Sequence, residues 1–404
     1  MKAAEIKKDI YWVGAVDYQS RDFHGYSLSP QGTTYNTYLV LDEKKVLFDT
    51  VKHEFSGTMM CRLAGLIKPE EIDYIVVNHV ELDHSGALPY FIEACKPEAV
   101  ICSVMGEKAI QAHFKDWEKW PLKVVKTGDS ISIGKRTIHF IETRMLHWPD
   151  SMFSYIPEDR LLISNDAFGQ NIASSERFAD EVQREVLDHA MTEYFHNIVL
   201  PYSPQVLKVL AQAEAMKLDV DMIAPDHGLI FRGKDEVQYA LSTYKRFAEQ
   251  KMQKRAIIVY DTMWQSTQKM AYAIGEGLDA AGVPYRIMDM KDNHHSAVMT
   301  ELARCGLVIV GSPTHNNGIL PFVSAMLTYM KGLRPQNRMA GAFGSFGWSG
   351  ECVNILGEAL KGMGFEMPVD PVKNKYVPGH EALGACYDMG KALGEALAAR
   401  CAGQ

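Results

Sequence analysis

The chain has 404 residues, 47% of them apolar and 23% charged, which excludes an intrinsically disordered protein and leaves room for two or three domains. Its 42 Lys and Arg against 50 Asp and Glu give a net charge of -8 with no long basic run, so the charge pattern offers nothing to a nucleic-acid partner. No window approaches the roughly 18 consecutive apolar residues of a spanning helix, and Met1-Lys2-Ala3-Ala4-Glu5 lacks a signal-peptide pattern; a cytoplasmic protein with no membrane partner is expected.

The N-terminal half mixes strands with helices. Short strands are predicted at 37–41 and 46–48, a buried apolar strand at 74–77, a helix at 87–94 and a strand at 100–102. Further strands are predicted at 137–141, 152–156, 161–164 and 222–224. The polar, Lys-rich run from Glu249 to Arg255 marks a linker, giving domains at 1–250 and 254–404. From Ala256 onward, apolar strands at 256–260, 285–288, 307–310 and 339–343 alternate with amphipathic helices. That rhythm predicts a parallel, doubly wound α/β sheet. The seven cysteines form no C-x-x-C pair, so buried reduced thiols are expected in place of disulfides or a thiolate metal site.

Directly after the strand at 74–77 comes His79-Val80-Glu81-Leu82-Asp83-His84, four metal-competent side chains in six residues. Extended backbone places His79 and Glu81 on one side, and the turn after Leu82 brings Asp83 and His84 to a second point. His147, Asp166 and His227 each follow the carboxyl end of another predicted strand. Any one of these alone would be an ordinary loop residue; their recurrence at strand ends points to a shared site. The set holds four imidazoles and three carboxylates and no thiolate, which favours iron or manganese over zinc, although the affinity order keeps zinc in play.

With these residues the sequence resembles the metallo-β-lactamase superfamily, whose two-metal loop reads H-x-H-x-D-H. Glu81 replaces the second histidine here, and H-x-E-x-D-H is the form of the flavodiiron proteins, to which the likeness extends through both halves in order. The resemblance implies an N-terminal metallo-β-lactamase-like αββα sandwich followed by a flavodoxin-like domain. It also implies two iron ions, one held by His79, Glu81 and His147, the other by Asp83, His84 and His227, with Asp166 bridging. In some members the histidine at the place of His84 turns away. His24 and Tyr194 match positions that line the substrate pocket of the family.

The first strand of the C-terminal half runs into Thr262-Met263-Trp264-Gln265-Ser266-Thr267 and then a helix. A hydroxyl-rich turn at a helix N-terminus suits one phosphate group, and the absence of G-x-G-x-x-G and G-K-[ST] disfavours a dinucleotide or triphosphate cradle. Two loops after later strands, Ser312-Pro313-Thr314-His315-Asn316-Asn317-Gly318 and Ser345-Phe346-Gly347-Trp348-Ser349-Gly350, are suited to sandwich a flat ring and bond its edge. Together the three loops resemble a flavodoxin, and FMN is the cofactor implied.

Iron and flavin in one chain point to electron transfer. The resemblance implies reduction of dioxygen to water, of nitric oxide to nitrous oxide, or both, with electrons from rubredoxin or a similar donor. It further implies a head-to-tail homodimer, or a dimer of such dimers. A dizinc hydrolase with an accessory flavodoxin domain is the alternative, and an FMN-binding electron carrier with a degenerate metal loop is a second.

Overall fold

The computed structural model describes residues 2–403. They form two compact units: one comprises most of the chain up to Ala248, the other runs from Glu249 onward and includes the short segments Tyr26–Leu28 and His196–Pro201.

The first unit is an αββα sandwich. Its seven-stranded sheet runs in the order Ala4–Lys7, Ile10–Trp12, Tyr38–Val40, Val46–Phe48, Tyr74–Val77, Ala99–Ser103, Leu122–Val125. The six-stranded sheet runs Ser130–Ser132, Thr137–Glu142, Met152–Ile156, Leu161–Ile163, Met222–Ala224, Phe231–Arg232. Alternation along each strand divides the side chains between two cores. Val76, Phe140, Leu161 and Ile163 face the space between the sheets. Ile75 and Val77 face the other way, against Leu63, Leu88, Phe91 and Ile110 from helices Ser56–Leu63, Leu88–Cys95 and Val104–His113. Leu162 turns from the sheet interface toward helices Ser203–Ala215 and Lys234–Glu249.

The second unit has one parallel sheet in the order Tyr285–Asp289, Ala256–Tyr260, Leu307–Gly311, Met339–Phe346, Val372–Lys375. This is the doubly wound order 2-1-3-4-5, which leaves a crevice at the carboxyl ends of its first and third strands. Its core gathers Ile258, Ile309 and Phe343 from the strands with Met270, Ile274 and Leu393 from the helices.

Five of the predicted apolar strands, at 46–48, 74–77, 152–156, 222–224 and 256–260, keep their bounds without change. The strands the sequence does not signal are edge or hairpin pieces such as Ala4–Lys7, Ser130–Ser132 and Val372–Lys375, too polar to stand out as apolar runs. All seven cysteines are free, but Cys61 is exposed and Cys401 only half-buried, so the expectation of buried thiols holds for the other five.

Candidate metal centre and flavin site

The strand Tyr74–Val77 lies between two parallel neighbours and delivers its carboxyl end to the sandwich edge. Two buried aspartates fix the loop that follows. Asp49 accepts from the Asn78 backbone N–H at 2.7 Å and its side-chain amide at 2.8 Å. Asp150 Oδ2 lies 3.0 Å from His79 Nδ1 and accepts the Val80 N–H at 2.7 Å. His79 is thereby left with Nε2 directed at Glu81 Oε2, 3.2 Å away. A short helix, Leu82–Ser85, then turns Asp83 and His84 to the same edge.

The remaining three residues arrive from the second sheet. His147 follows Thr137–Glu142, Asp166 follows Leu161–Ile163, and His227 follows Met222–Ala224, which pairs in parallel with Leu161–Ile163. His227 Nδ1 lies 2.6 Å from the Thr34 carbonyl, so the proton rests there and Nε2 is free to face the cluster. Gly228, at φ +81°, makes this approach possible, since a Cβ there would fall 2.6 Å from the Gln170 carbonyl oxygen.

All seven side chains are buried, and their ligand atoms gather in two groups. His79, Glu81, His147 and Asp166 form one; Asp83, His84 and His227 form the other. Asp166 reaches both: Oδ2 lies 2.9 Å from His147 Nε2 and 3.4 Å from His79 Nε2, while Oδ1 lies 3.1 Å from His84 Nε2 and 3.4 Å from His227 Nε2. His84 faces inward. Around it Asp226 is 3.7 Å from Nδ1, and burial together with the Asp49 carboxylate pushes the Asp226 carboxyl well above its usual range.

The donor set tests whether metal belongs here. Both oxygens of Asp83, Asp166 Oδ1 and His227 Nε2 are buried without a hydrogen-bond partner. Groups of this kind cost several kcal/mol each when left in a dry interior. Cations placed against each group would satisfy every orphaned atom, so the residues fit a two-metal centre, and the nitrogen and oxygen set suits iron.

The two sequence-predicted pocket residues adjoin the cluster. His24 Nε2 lies 2.6 Å from Glu81 Oε1, with about half the side chain exposed, and that hydrogen bond raises the imidazole's affinity for a proton. The Tyr194 ring is 5.8 Å from that of His227, and its hydroxyl is buried. Asp49, Asp150 and Asp226 are missed by sequence reasoning. Each is a single carboxylate far along the chain from the histidine it serves, and no local spacing distinguishes it.

In the second unit a cavity of about 550 Å³ opens at the carboxyl ends of Ala256–Tyr260, Leu307–Gly311 and Met339–Phe346. Thr262, Met263, Trp264, Ser266, Pro313, Thr314, Asn316, Asn317, Ser345, Phe346, Gly347, Trp348 and Ser349 line it, as the three motifs predict. Gln265, Thr267, Ser312, His315, Gly318 and Gly350 do not reach it. Several of these shape it instead: Thr267 Oγ1 bonds Ser345 Oγ at 3.1 Å, and Ser312 Oγ accepts the Leu320 N–H at 3.0 Å. Gln265, at φ 65°, caps the helix Ser266–Ala280, and backbone pairing of His315 with Gly318 holds Asn316 and Asn317 at a turn tip. Tyr376 and Val377, after the edge strand Val372–Lys375, also line the cavity and carry no sequence signal. Trp264 and Trp348 stand 89% exposed at its rim, a large apolar surface that a flat aromatic ligand would cover. Serine and threonine hydroxyls beside a helix N-terminus supply what a phosphate needs, so the residues fit FMN.

A family model described as ODP family beta lactamase matches residues 33–228, and the flavodoxin model matches 258–390. The rubredoxin-oxygen oxidoreductase of Megalodesulfovibrio gigas is 52% identical over the whole of both chains. The nitric oxide reductase of Moorella thermoacetica is 42% identical over 97% of this chain and 98% of its own. The crystal structure of the flavodiiron protein from Giardia intestinalis superposes with a TM-score of 0.94 at 33% identity, covering 100% of this chain and 98% of that one. These likenesses run through both units, the flavodoxin half included, and set aside the hydrolase alternative. A two-metal cluster with a carboxylate astride its halves, joined in one chain to an FMN cradle, is thus not an isolated construction, and the chain belongs to the flavodiiron protein family.

Proposed function

We propose that this chain is a flavodiiron oxidoreductase that reduces dioxygen to water, nitric oxide to nitrous oxide, or both, with domains at 1–250 and 254–404. When bound, two irons and FMN supply the electrons: four, with four protons, take dioxygen to two waters, and two, with two protons, take two nitric oxides to nitrous oxide and water. The observation that carries this reading is Asp166, whose two oxygens address the two halves of the cluster.

His79, Glu81 and His147 would hold one iron and Asp83, His84 and His227 the other, with Asp166 within reach of both. Asp150 and the Thr34 carbonyl keep His79 and His227 in the tautomers that present Nε2. His24 bonds Glu81 from the solvent side, where an imidazole can pass protons inward to the reacting gas. Tyr194, buried against His227, helps keep water out of the pocket. In the other unit, Ser266 and Thr262 would take the phosphate, and Trp264, Trp348 and Tyr376, which line the same cavity, would flank the ring.

The electron donor is rubredoxin or a similar small redox protein, by likeness to the rubredoxin-oxygen oxidoreductase of Megalodesulfovibrio gigas. The working form is a head-to-tail homodimer or a dimer of dimers, in the cytoplasm; no helix among the described residues is long and apolar enough to cross a membrane. The test is anaerobic reduction of the iron- and FMN-loaded protein followed by separate mixing with each gas. Flavin reoxidation in step with gas consumption is expected. Failure to consume either gas, or metal analysis finding zinc alone, would overturn the assignment, and a fully active monomer in sedimentation would overturn the dimer.

A further inference from the structure

Packing is incomplete between the six-stranded sheet and the helices Ser203–Ala215 and Lys234–Glu249. Ile141, Phe153 and Leu162 rise from the sheet, Val209 and Leu241 descend from the helices, and a cavity of about 30 Å³ is left between them. A single water needs roughly 10–15 Å³ by this measure, so the space suits one diatomic molecule. The surface exposed to it is apolar, with Gln212 and Tyr244 the polar residues among its walls. Water there would find few of the two to four partners that hold a buried molecule, so an apolar guest is favoured. Such a void forfeits the dispersion contacts its walls would otherwise make, and one larger side chain at Ala213, which lines it, would recover them.

Its placement is informative. Met216, 42% exposed, forms part of the lining at the surface, whereas Leu146 and Phe168 are buried. Leu146 is bonded to His147, and Phe168 lies two residues beyond Asp166, so two of the buried wall residues come from the segments that carry metal-cluster residues. The apolar notch therefore lies between the surface at Met216 and the segments that carry His147 and Asp166.

We infer that this cavity is an entry and holding site for the gaseous substrate, an uncharged apolar diatomic molecule; the inference rests on the reaction proposed above. Dioxygen and nitric oxide dissolve better in apolar surroundings than in water. A notch that takes them and refuses water and ions raises their concentration beside the cluster without a bond being made or broken.

Xenon under pressure, applied to crystals of the iron- and FMN-loaded protein, is the probe, and a xenon atom is expected in this cavity. Ala213→Leu should abolish that site and lower kcat/KM for dioxygen roughly ten-fold, with a much smaller fall in the rate at saturating gas, the pattern of lost access and not of lost chemistry. Ala213→Val, a gentler filling, should give a smaller loss in the same direction should the leucine variant misfold. Xenon found elsewhere but not here, or an unaltered kcat/KM in a variant that has lost its xenon, would overturn the inference. A parent enzyme that consumes neither gas would instead overturn the reaction, and this is seen before any variant is made.

Discussion

Asp150 shows how much of the cluster's order is held by residues that touch no metal. One carboxylate oxygen engages both the His79 ring and the Val80 N–H, so a single side chain sets the imidazole's rotation and the loop's path together. Asp150→Asn replaces an acceptor oxygen with a competing donor, and partners of this kind are worth roughly 10–100-fold in metal affinity or activity. Iron per chain and gas consumption should fall by that order while FMN content holds; full iron and full activity would refute the role. At the flavin site, Trp348→Ala removes an exposed aromatic from the cavity rim. Loss of one stacking partner, about 1 kcal/mol, should raise the dissociation constant for FMN about five-fold in a flavin fluorescence titration.

At the scale of elements, the helix that begins at the phosphate turn is held by backbone contact. A Cβ at Gly277 would fall 2.1 Å from the Tyr387 carbonyl oxygen, and one at Gly390 would fall 2.1 Å from that of Ile274. Helices Ser266–Ala280 and His380–Ala402 therefore touch main chain to main chain. Gly390→Ala has no space and should destabilise this unit by about 1–3 kcal/mol, lowering its melting temperature, and should weaken FMN binding because Ser266 moves with the helix. A second element-level case is Asp42, after the strand Tyr38–Val40, which accepts from the backbone N–H groups of Glu43, Lys135 and Arg136 at 2.8, 3.1 and 3.0 Å. Burial works against its charge, but these donors and the Arg136 guanidinium prevail and hold its pKa below the usual value. A lowered carboxylate pKa contributes stability at neutral pH that is lost as the pH falls through that lowered value. Asp42→Asn should thus cost about 1 kcal/mol in urea unfolding at pH 7 and progressively less toward pH 3. An equal cost at both pH values would contradict this.

On the scale of the whole molecule, each unit has its own core and its own cofactor residues. Metal binds only the folded cluster, and a ligand at a thousand times its dissociation constant adds about 4 kcal/mol to stability. Removing iron with a chelator should therefore lower one calorimetric transition while the flavin absorbance remains with the protein. Release of FMN together with the iron would contradict that separation.

Sequence pattern alone pointed to seven residues that the structure gathers in two groups and to three loops that surround one cavity, because each follows the end of an apolar strand within a few positions, and a strand end in a parallel or mixed sheet is where side chains converge. Val76 and Val77 mark the strand, and His79 to His84 follow at once. Other features depend on how distant segments pack. Asp150 bonds a histidine of another segment and Asp226 lies beside one, Tyr376 reaches the flavin cavity from an edge strand without periodicity, and the apolar cavity by Leu162 exists because helices and sheet stop short of full contact. Local pattern encodes which face a side chain takes; pairing between distant segments, and the volume left when they pack, are set only when the whole chain has closed.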